Sequence, residues 1–234
     1  MKKFVLLLIG VLMVSCQKKS EVGSEMDAPC TCAPIIVLQP CNSFTETEAQ
    51  RMVPQVQEFI NKYPWMEFEI DVMPPIKLAD SLRNDARTRY RADKVIKAMA
   101  KEGSKHNVVI LLTHDDISLP YKGHADWGVL GLSVRPHYVC MASDYRLRNK
   151  RRDLWKVAMH EFIHTYYHRS HCPNDDVNCI MKDAKGKADF GNKNGLCERC
   201  REEASPPTPL QRARGVGTSK KSNPMREEDG RVGS

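Results

Sequence analysis

The sequence predicts an α/β fold, of the α+β kind, in which helices flank a mixed and twisted sheet. Apolar runs typical of strands alternate with segments of helical spacing, in an order close to βαβαβββα. Two strands follow one another before the last helix, so we expect a sheet that is not purely parallel. With 234 residues, of which 41% are hydrophobic, the chain has room for one domain with a real core.

The first predicted elements are a strand, a helix and a second strand. Residues 35–38 form a short apolar run that is typical of a buried strand. Ser43 or Thr45, each followed by a glutamate three residues later, offers a capping box for a helix that ends near Pro64. Residues 66–72 alternate acidic and apolar side chains with a period of two, which predicts a half-buried strand.

The middle of the chain is expected to supply the core of the sheet. Residues 77–101 carry apolar side chains at mostly helical spacing, which predicts one or two helices. Five consecutive apolar residues at 108–112 predict the central strand. Residues 127–134 and 138–142 are two further strand candidates separated by a turn, and a helix follows from about 151 to 167.

Both ends of the chain have the composition of segments outside a fold. Residues 1–15 carry two lysines and then an apolar run, which predicts an export signal, and Cys16 is typical of a bacterial lipobox. We therefore expect an exported protein, lipid-anchored to a bacterial membrane at the cell surface or in the periplasm, with residues 16–33 as a tether. The alternative is an ordinary signal peptide that is cut elsewhere. Residues 202–234 are predicted to be disordered, which leaves 34–201 as the folded domain.

The charge balance points away from nucleic acid as a partner. The formal net charge is +7, of which two units leave with the lysines of the export signal. The chain has no dense basic block and no basic stretch interleaved with aromatic residues, which are the patterns that nucleic-acid binding requires.

The stretch HEFIH is the most informative in the chain. On a helix, HExxH places His160 and His164 one turn apart on one face and sets Glu161 beside them, which suits a zinc ion with a general base. The flanking residues are apolar, so the helix is predicted to be buried, and a metal would satisfy its polar stripe. Histidines hydrogen-bonded within the core are the alternative. Zinc needs a third protein ligand, for which His168 and His171 are candidates.

Four cysteines follow the histidines, spaced as a loop pair and a tight CxxC: Cys172, Cys179, Cys197 and Cys200. Four thiolates in this pattern can surround one zinc ion. Exported proteins usually use cysteine for disulfides, however, and composition alone favours disulfides. The pairing of the other cysteines cannot be deduced from their spacing, and these are Cys30, Cys32, Cys41 and Cys140.

The stretch HEFIHTYYHRSHC, the CIM at 179–181 and the CERC at 197–200 together resemble the archaemetzincin family of zinc metallopeptidases. The resemblance covers roughly residues 34–200, and its specific part is confined to 160–200. It implies a metzincin-like fold with an active-site helix and a short cysteine-rich C-terminal subdomain. It also implies two zinc ions, one catalytic and one structural, the second held by the four cysteines.

Carried over position by position, the resemblance implies His160, His164 and His171 as ligands of the catalytic zinc, Glu161 as the base and Met181 as the residue of the methionine turn. The chain departs from the family pattern between the second and third histidines, where it lacks the glycine and has one residue more. His168 tolerates a positive φ better than a tyrosine would, so it can replace the glycine in the turn. The competing possibility is a longer helix from which His168 itself is the third ligand.

These features predict a zinc metallopeptidase that hydrolyses peptide or protein substrates as a monomer, with Glu161 as general base. Leu130, Leu132 and Val134 are expected in the strand that lines the substrate cleft, where a peptide could add to the sheet edge. A non-catalytic, zinc-stabilised surface or peptide-binding lipoprotein is the first alternative. A disulfide-stapled surface protein without metal is the second.

The other polar residues near loops have simpler interpretations. His114, Asp115, Asp116, His124 and His137 have no fixed spacing to the HExxH helix. We therefore expect them to be turn or surface residues and not metal ligands.

Overall fold

The structure, a computed structural model, describes residues 33–184 and 190–205. Within these ranges the strands, β1–β8, are Ile35–Pro40, Glu69–Val72, Tyr90–Arg91, Asn107–Thr113, Ile117–Tyr121, His124–Val129, Gly131–Ser133 and Val139–Ser143. The α-helices, α1–α4, are Glu46–Asn61, Ala92–Ala98, Leu154–Tyr166 and Glu198–Ala204, and 3-10 segments cover Asp80–Leu82 and Tyr145–Asp153. None of the helices in the described part of the chain is long and apolar enough to cross a membrane.

Several predictions for the chain ends lie outside the described residues: the export signal of residues 1–15, the lipidation site Cys16, most of the tether, the cysteines Cys30 and Cys32, and residues 206–234. The start of the predicted tail needs a correction. Residues 202–204 belong to α4, because Ala204 is buried at 3% exposure and packs into the core. A buried apolar contact therefore holds the helix beyond the predicted domain end.

The main sheet has five strands in the order β2-β1-β4-β8-β7. Its first three pairings are parallel, and β7 is an antiparallel edge strand beside β8. Val109 in β4 pairs with Val37 on one side and with Val139 on the other. The predicted central strand is confirmed, as is the turn that joins the last two strands.

Helices cover both faces of this sheet, as the α/β prediction requires. Successive residues of a strand point to opposite faces. Ile110 and Cys140 pack in a cluster with residues of α1 and α3, whereas Val109 and Met141 pack in a second cluster with residues of α2. The helix α3 thus lies on the sheet next to β8 and the edge strand β7.

A second, smaller sheet has the order β3-β5-β6, with β6 at its edge. This sheet corrects two predictions. Residues 127–134 do not form one strand, because the chain passes from β6 to β7 at Leu130 and changes sheets. The strand β5 was not predicted, since Pro120 lies inside it and breaks the pairing register between Leu119 and Tyr121.

The prediction of one or two helices over residues 77–101 is only partly correct. The structure has the seven-residue α2 and a single 3-10 turn in this region. The Asn84 side chain accepts hydrogen bonds from the backbone N–H groups of Thr88 and Arg89. Such local side-chain bonds compete with helix formation. The second predicted strand is also shorter, because only Glu69–Val72 pairs with β1.

The other two predicted helices are present. The capping box of α1 is confirmed, with the Glu48 backbone N–H bonded to the Thr45 hydroxyl and the Glu48 side chain bonded to the Thr45 N–H. The helix α3 begins at Leu154, slightly later than predicted. Residues before it form 3-10 turns interrupted at Arg148, which has a φ of 50°.

Asp116 was expected at a turn or on the surface, but its side chain is only 8% exposed. Its oxygens accept hydrogen bonds from Arg89 Nε at 2.7 Å and from Arg146 Nε at 2.7 Å. Arg89 also binds Asp126 at 2.9 Å. This network ties the second sheet to the segment before α3, which explains why a loop carboxylate is buried.

We expect Asp116→Ala to lower the free energy of unfolding by about 2 kcal/mol, because two guanidinium groups lose their shared acceptor. Urea denaturation measures the change. Asp85→Ala, which removes an exposed carboxylate, serves as the control and should unfold like the parent chain. Equal stability of both variants would mean that the network contributes nothing.

Candidate metal centre

The helix α3 is buried along most of its length, and it carries both histidines and the glutamate of the HExxH stretch. His160 is 6% exposed and Glu161 is 8% exposed. The Nε2 atoms of His160 and His164 lie 3.0 Å apart. The four-residue spacing thus brings two ring nitrogens to one point beside the sheet.

Hydrogen bonds to backbone carbonyls fix the orientation of both rings. His160 Nδ1 donates to the Ile180 carbonyl at 2.7 Å, and His164 Nδ1 donates to the Arg169 carbonyl. Because a carbonyl can only accept, each Nδ1 carries the proton and each Nε2 presents a lone pair. Two lone pairs at 3.0 Å repel each other unless a cation lies between them. The donor set therefore fits a metal ion.

The third histidine of this group is His171. Its ligand atom and those of His160 and His164 all lie within 4.8 Å of one another. His168 does not join them. The helix has ended at Tyr166, and His168 takes a φ of 53° with its carbonyl bonded to Arg135. His168 therefore occupies the turn where the family pattern has glycine.

Burial favours the neutral form of His160 and His164, which is the form that binds a metal, whereas His171 is exposed at the surface. Burial lowers the pKa of His160 well below its ordinary value and the pKa of His164 to about 4. The pKa of His171 is also lowered by burial, and Lys193 adds to the effect while Asp183 opposes it. The lowered pKa values favour unprotonated ring nitrogens, which can bind a cation.

Glu161 follows His160 on α3, and its side chain reaches the edge strand β7 at Gly131. Burial raises the pKa of its carboxyl to about 8. A dication held by the neighbouring imidazoles would lower that pKa again, because an opposite charge stabilises the carboxylate.

Gly131 makes room for the Glu161 side chain, a role that sequence reasoning missed. A Cβ atom placed on Gly131 would lie 2.6 Å from Glu161 Cγ and 2.7 Å from Glu161 Oε1. The only signal in the sequence was a glycine inside a strand pattern, which often marks a close approach.

The four candidate cysteines form a second group. Their Sγ atoms all lie within 4.8 Å of one another, and none of the four is in a disulfide. Cys172 Sγ and Cys197 Sγ are 3.6 Å apart. A disulfide requires about 2.05 Å, whereas two thiolates on one tetrahedral zinc are about 3.8 Å apart, as follows from the Zn–S bond length. The sulfur geometry therefore resembles a zinc site.

Backbone N–H groups also point at these sulfurs. The Cys197 N–H donates to Cys179 Sγ at 3.4 Å. Burial raises the pKa of the Cys172 thiol, but hydrogen bonds from the backbone of Asp176 and Asn174 and from the side chains of Cys197 and Cys200 outweigh it, so that the net pKa is lowered. At Cys179 burial dominates and raises the pKa to about 11. Donors aimed at sulfur stabilise the thiolate that a metal requires.

The predicted methionine turn lies between the two groups. Met181 is 1% exposed, and its carbonyl accepts a hydrogen bond from the Cys172 N–H at 2.7 Å. The carbonyl of the preceding residue, Ile180, accepts the hydrogen bond that orients His160. The residue before that, Cys179, belongs to the cysteine group. One short segment therefore connects both candidate sites.

Lys156 fixes a segment of backbone near His160, a role that sequence reasoning missed. It lies one turn before His160 on α3 and is 4% exposed. Its Nζ donates to the carbonyls of Phe190 at 2.8 Å and Gly191 at 3.0 Å, and it pairs with Asp153 at 3.1 Å. The Phe190 ring centroid is 6.5 Å from that of His160. A lysine inside an apolar helix was the available signal.

The remaining candidates stay apart from both groups. Among the described residues, no metal-like cluster includes His114, Asp115, Asp116, His124 or His137. The cysteines Cys41 and Cys140 are buried and free, without a disulfide.

No protein-family model and no curated protein matches this chain. Solved structures do. The archaemetzincin from Methanopyrus kandleri aligns with a TM-score of 0.61 and 20% identity, over 75% of this chain and 96% of that one. The chain has the archaemetzincin fold.

Two further solved structures agree. A zinc-dependent peptidase from Methanocorpusculum labreanum aligns with a TM-score of 0.57 and 17% identity, over 73% of this chain and 100% of that one. The archaemetzincin from Archaeoglobus fulgidus, complexed with malonate, aligns with a TM-score of 0.50 and 20% identity, over 72% of this chain and 99% of that one. The resemblance seen in the sequence is confirmed at the level of the archaemetzincin fold.

We expect Lys156→Met to lower the free energy of unfolding by about 2 kcal/mol, since two carbonyls and a buried carboxylate lose their donor. Zinc affinity of the histidine group should fall about tenfold, because the segment whose Phe190 ring packs near His160 is released. Chemical denaturation and competition with a chromogenic zinc chelator measure these effects. The exposed Lys150→Met is the matched control, and an unchanged zinc affinity in Lys156→Met would contradict the supporting role.

Proposed function

We propose that this chain is a zinc-dependent peptidase whose catalytic centre is formed by His160, His164, His171 and Glu161. The observation that carries the proposal is the convergence of three imidazoles, with the buried Glu161 adjacent in the chain to His160, on an archaemetzincin fold. One solved neighbour is described as a zinc-dependent peptidase. Three protein ligands with an open position distinguish a catalytic zinc site from a structural one.

The three imidazoles would hold the ion through their unprotonated nitrogens. When bound, zinc supplies a Lewis acid that polarises a peptide carbonyl and makes water more acidic near neutral pH. Glu161 takes a proton from the attacking water and delivers it to the nitrogen of the leaving amine. The hydrogen bond from His160 Nδ1 to the Ile180 carbonyl keeps that ring oriented through the reaction.

The substrate is proposed to bind along β7, the edge of the main sheet. An edge strand has backbone groups that can pair with an extended peptide. Gly131 approaches Glu161, and Ser133 accepts a hydrogen bond from Thr165 on α3 at 2.9 Å, so these residues face the helix. Leu132 and Val134 pack in the cluster on the other face. Backbone pairing, more than those side chains, would therefore hold the peptide.

The proposal includes a second, structural zinc on the cysteine group, supported by the 3.6 Å sulfur contact. It also includes export and a lipid anchor at Cys16, for which the support remains the sequence of the first residues. A monomer is expected. The alternative of a non-catalytic, zinc-stabilised binding protein shares every feature except turnover.

We expect the wild-type chain to contain two zinc ions and to cleave peptides, and Glu161→Gln to keep both ions while its kcat falls by at least about a hundredfold. Elemental analysis of purified protein and a peptide library read by mass spectrometry measure the two properties. Full turnover by the variant would exclude Glu161 as the base. Two bound ions without cleavage by the wild type would favour the non-catalytic binding protein. The absence of bound zinc would exclude the zinc peptidase and favour a surface protein that binds no metal.

We expect Gly131→Ala to lower kcat strongly while both zinc ions stay bound, because the added Cβ displaces the Glu161 carboxylate. Steady-state kinetics and elemental analysis check this. Asp85→Ala, at an exposed residue outside both groups, is the control. If Gly131→Ala turns over at the wild-type rate, Gly131 does not position the base.

A further inference from the structure

The hairpin of β5 and β6 carries exposed aromatic side chains that the proposed mechanism does not use. Tyr121 is 46% exposed and Trp127 is 41% exposed. The Trp127 ring centroid lies 6.0 Å from that of Tyr121 and 5.3 Å from that of His124. These three residues form what we call the aromatic patch. Adjacent exposed rings on a soluble domain are typical of a binding surface.

The chain itself places the aromatic patch near the candidate catalytic centre. The strand β6 ends at Val129, and β7 starts at Gly131, beside Glu161. An extended chain spans at most about 3.5 Å per residue, so the Cα atoms of Trp127 and Gly131 are at most about 14 Å apart. A peptide bound at Glu161 needs about four further residues to cover that distance.

The direction of the peptide follows from the pairing. Both β6 and β7 are edge strands of their sheets. Antiparallel pairing is the more stable kind per residue, and a peptide that runs antiparallel to β7 proceeds from Gly131 towards β6. Its residues on the C-terminal side of the cleaved bond therefore approach the aromatic patch.

The strand that carries Trp127 packs against Arg146, and one lysine borders the aromatic patch. A Cβ atom on Gly128 would overlap the Arg146 guanidinium, which Asp116 fixes from the other side. Lys122 Nζ lies 5.3 Å from the Tyr121 ring centroid. The carboxylate of Asp126 is paired with Arg89 at 2.9 Å and does not offset that charge. The surface thus suits a large apolar ring with an acidic neighbour.

We propose that the aromatic patch is a substrate subsite, which binds an aromatic side chain of the peptide three or four residues after the cleaved bond. The inference rests on the proposed peptidase function and specifies its substrates. Trp127 is the central residue, because its ring contacts both of the others.

The test compares two peptides of one sequence that the wild type cleaves, with Phe or Ala at that position. The kcat/KM of the wild type should be about fivefold higher for the Phe peptide, which is the size of effect that an aromatic ring contact gives. The difference should lie mostly in KM, because the contact contributes to binding. Trp127→Ala should abolish the preference, and Trp127→Phe should restore most of it. Met73→Ala, which removes a 40% exposed side chain after β2 at the opposite edge of the sheet, should keep it.

The ratio of kcat/KM for the Phe and Ala peptides in Trp127→Ala is the measurement that tests the subsite. An unchanged preference for Phe in that variant would overturn the subsite while the peptidase function stands. If the wild type cleaves no peptide, the peptidase function fails instead, and calorimetry with a second pair of extended peptides, identical except for a single Phe or Ala, still tests binding at the aromatic patch. In that case the Phe peptide should bind the wild type about fivefold more tightly than the Ala peptide, Trp127→Ala should remove the difference, and equal binding to the wild type would overturn the inference.

Discussion

The hydrogen bond from His160 Nδ1 to the Ile180 carbonyl links the two candidate metal groups. It sets the orientation of a ring in the histidine group. The same segment carries Cys179 of the cysteine group, and the next carbonyl, that of Met181, binds Cys172. Loss of order in the cysteine group would therefore be transmitted to His160 through two adjacent residues of backbone. This connection would give the proposed structural zinc a role in orienting a ligand of the proposed catalytic zinc.

Burial acts on the candidate site in two opposed ways. It lowers the pKa of His160 and His164, which favours the neutral form that binds a cation, and it raises the pKa of Glu161. Both effects cost free energy in the absence of an ion, since polar groups are removed from water without full compensation. A bound dication reverses the balance, because it accepts the nitrogen lone pairs and stabilises the carboxylate. The helix α3 is thus a core helix whose polar stripe is compatible with burial through metal binding.

The sequence predicted the central strand, the capping box of α1, the helix that carries the HExxH stretch and the residues that converge at both groups. Those features depend on local spacing, which one chain displays directly. The break at Leu130 between two sheets was not predictable, since residues on both sides of it keep strand character. The roles of Lys156 and Gly131 depend on contacts with residues distant in sequence or on another element. Periodicity holds no information about such contacts.

The helix α3 stops at Tyr166, before the third histidine, and His168 turns the chain with a positive φ. The connection between the second and third histidines is therefore a loop, whose length can vary without altering the rise and rotation that place the first two. One added residue is absorbed in that loop. Sequence patterns that demand a glycine and a fixed interval at this point would pass over proteins built in this way, and searches that allow a variable interval would retrieve them.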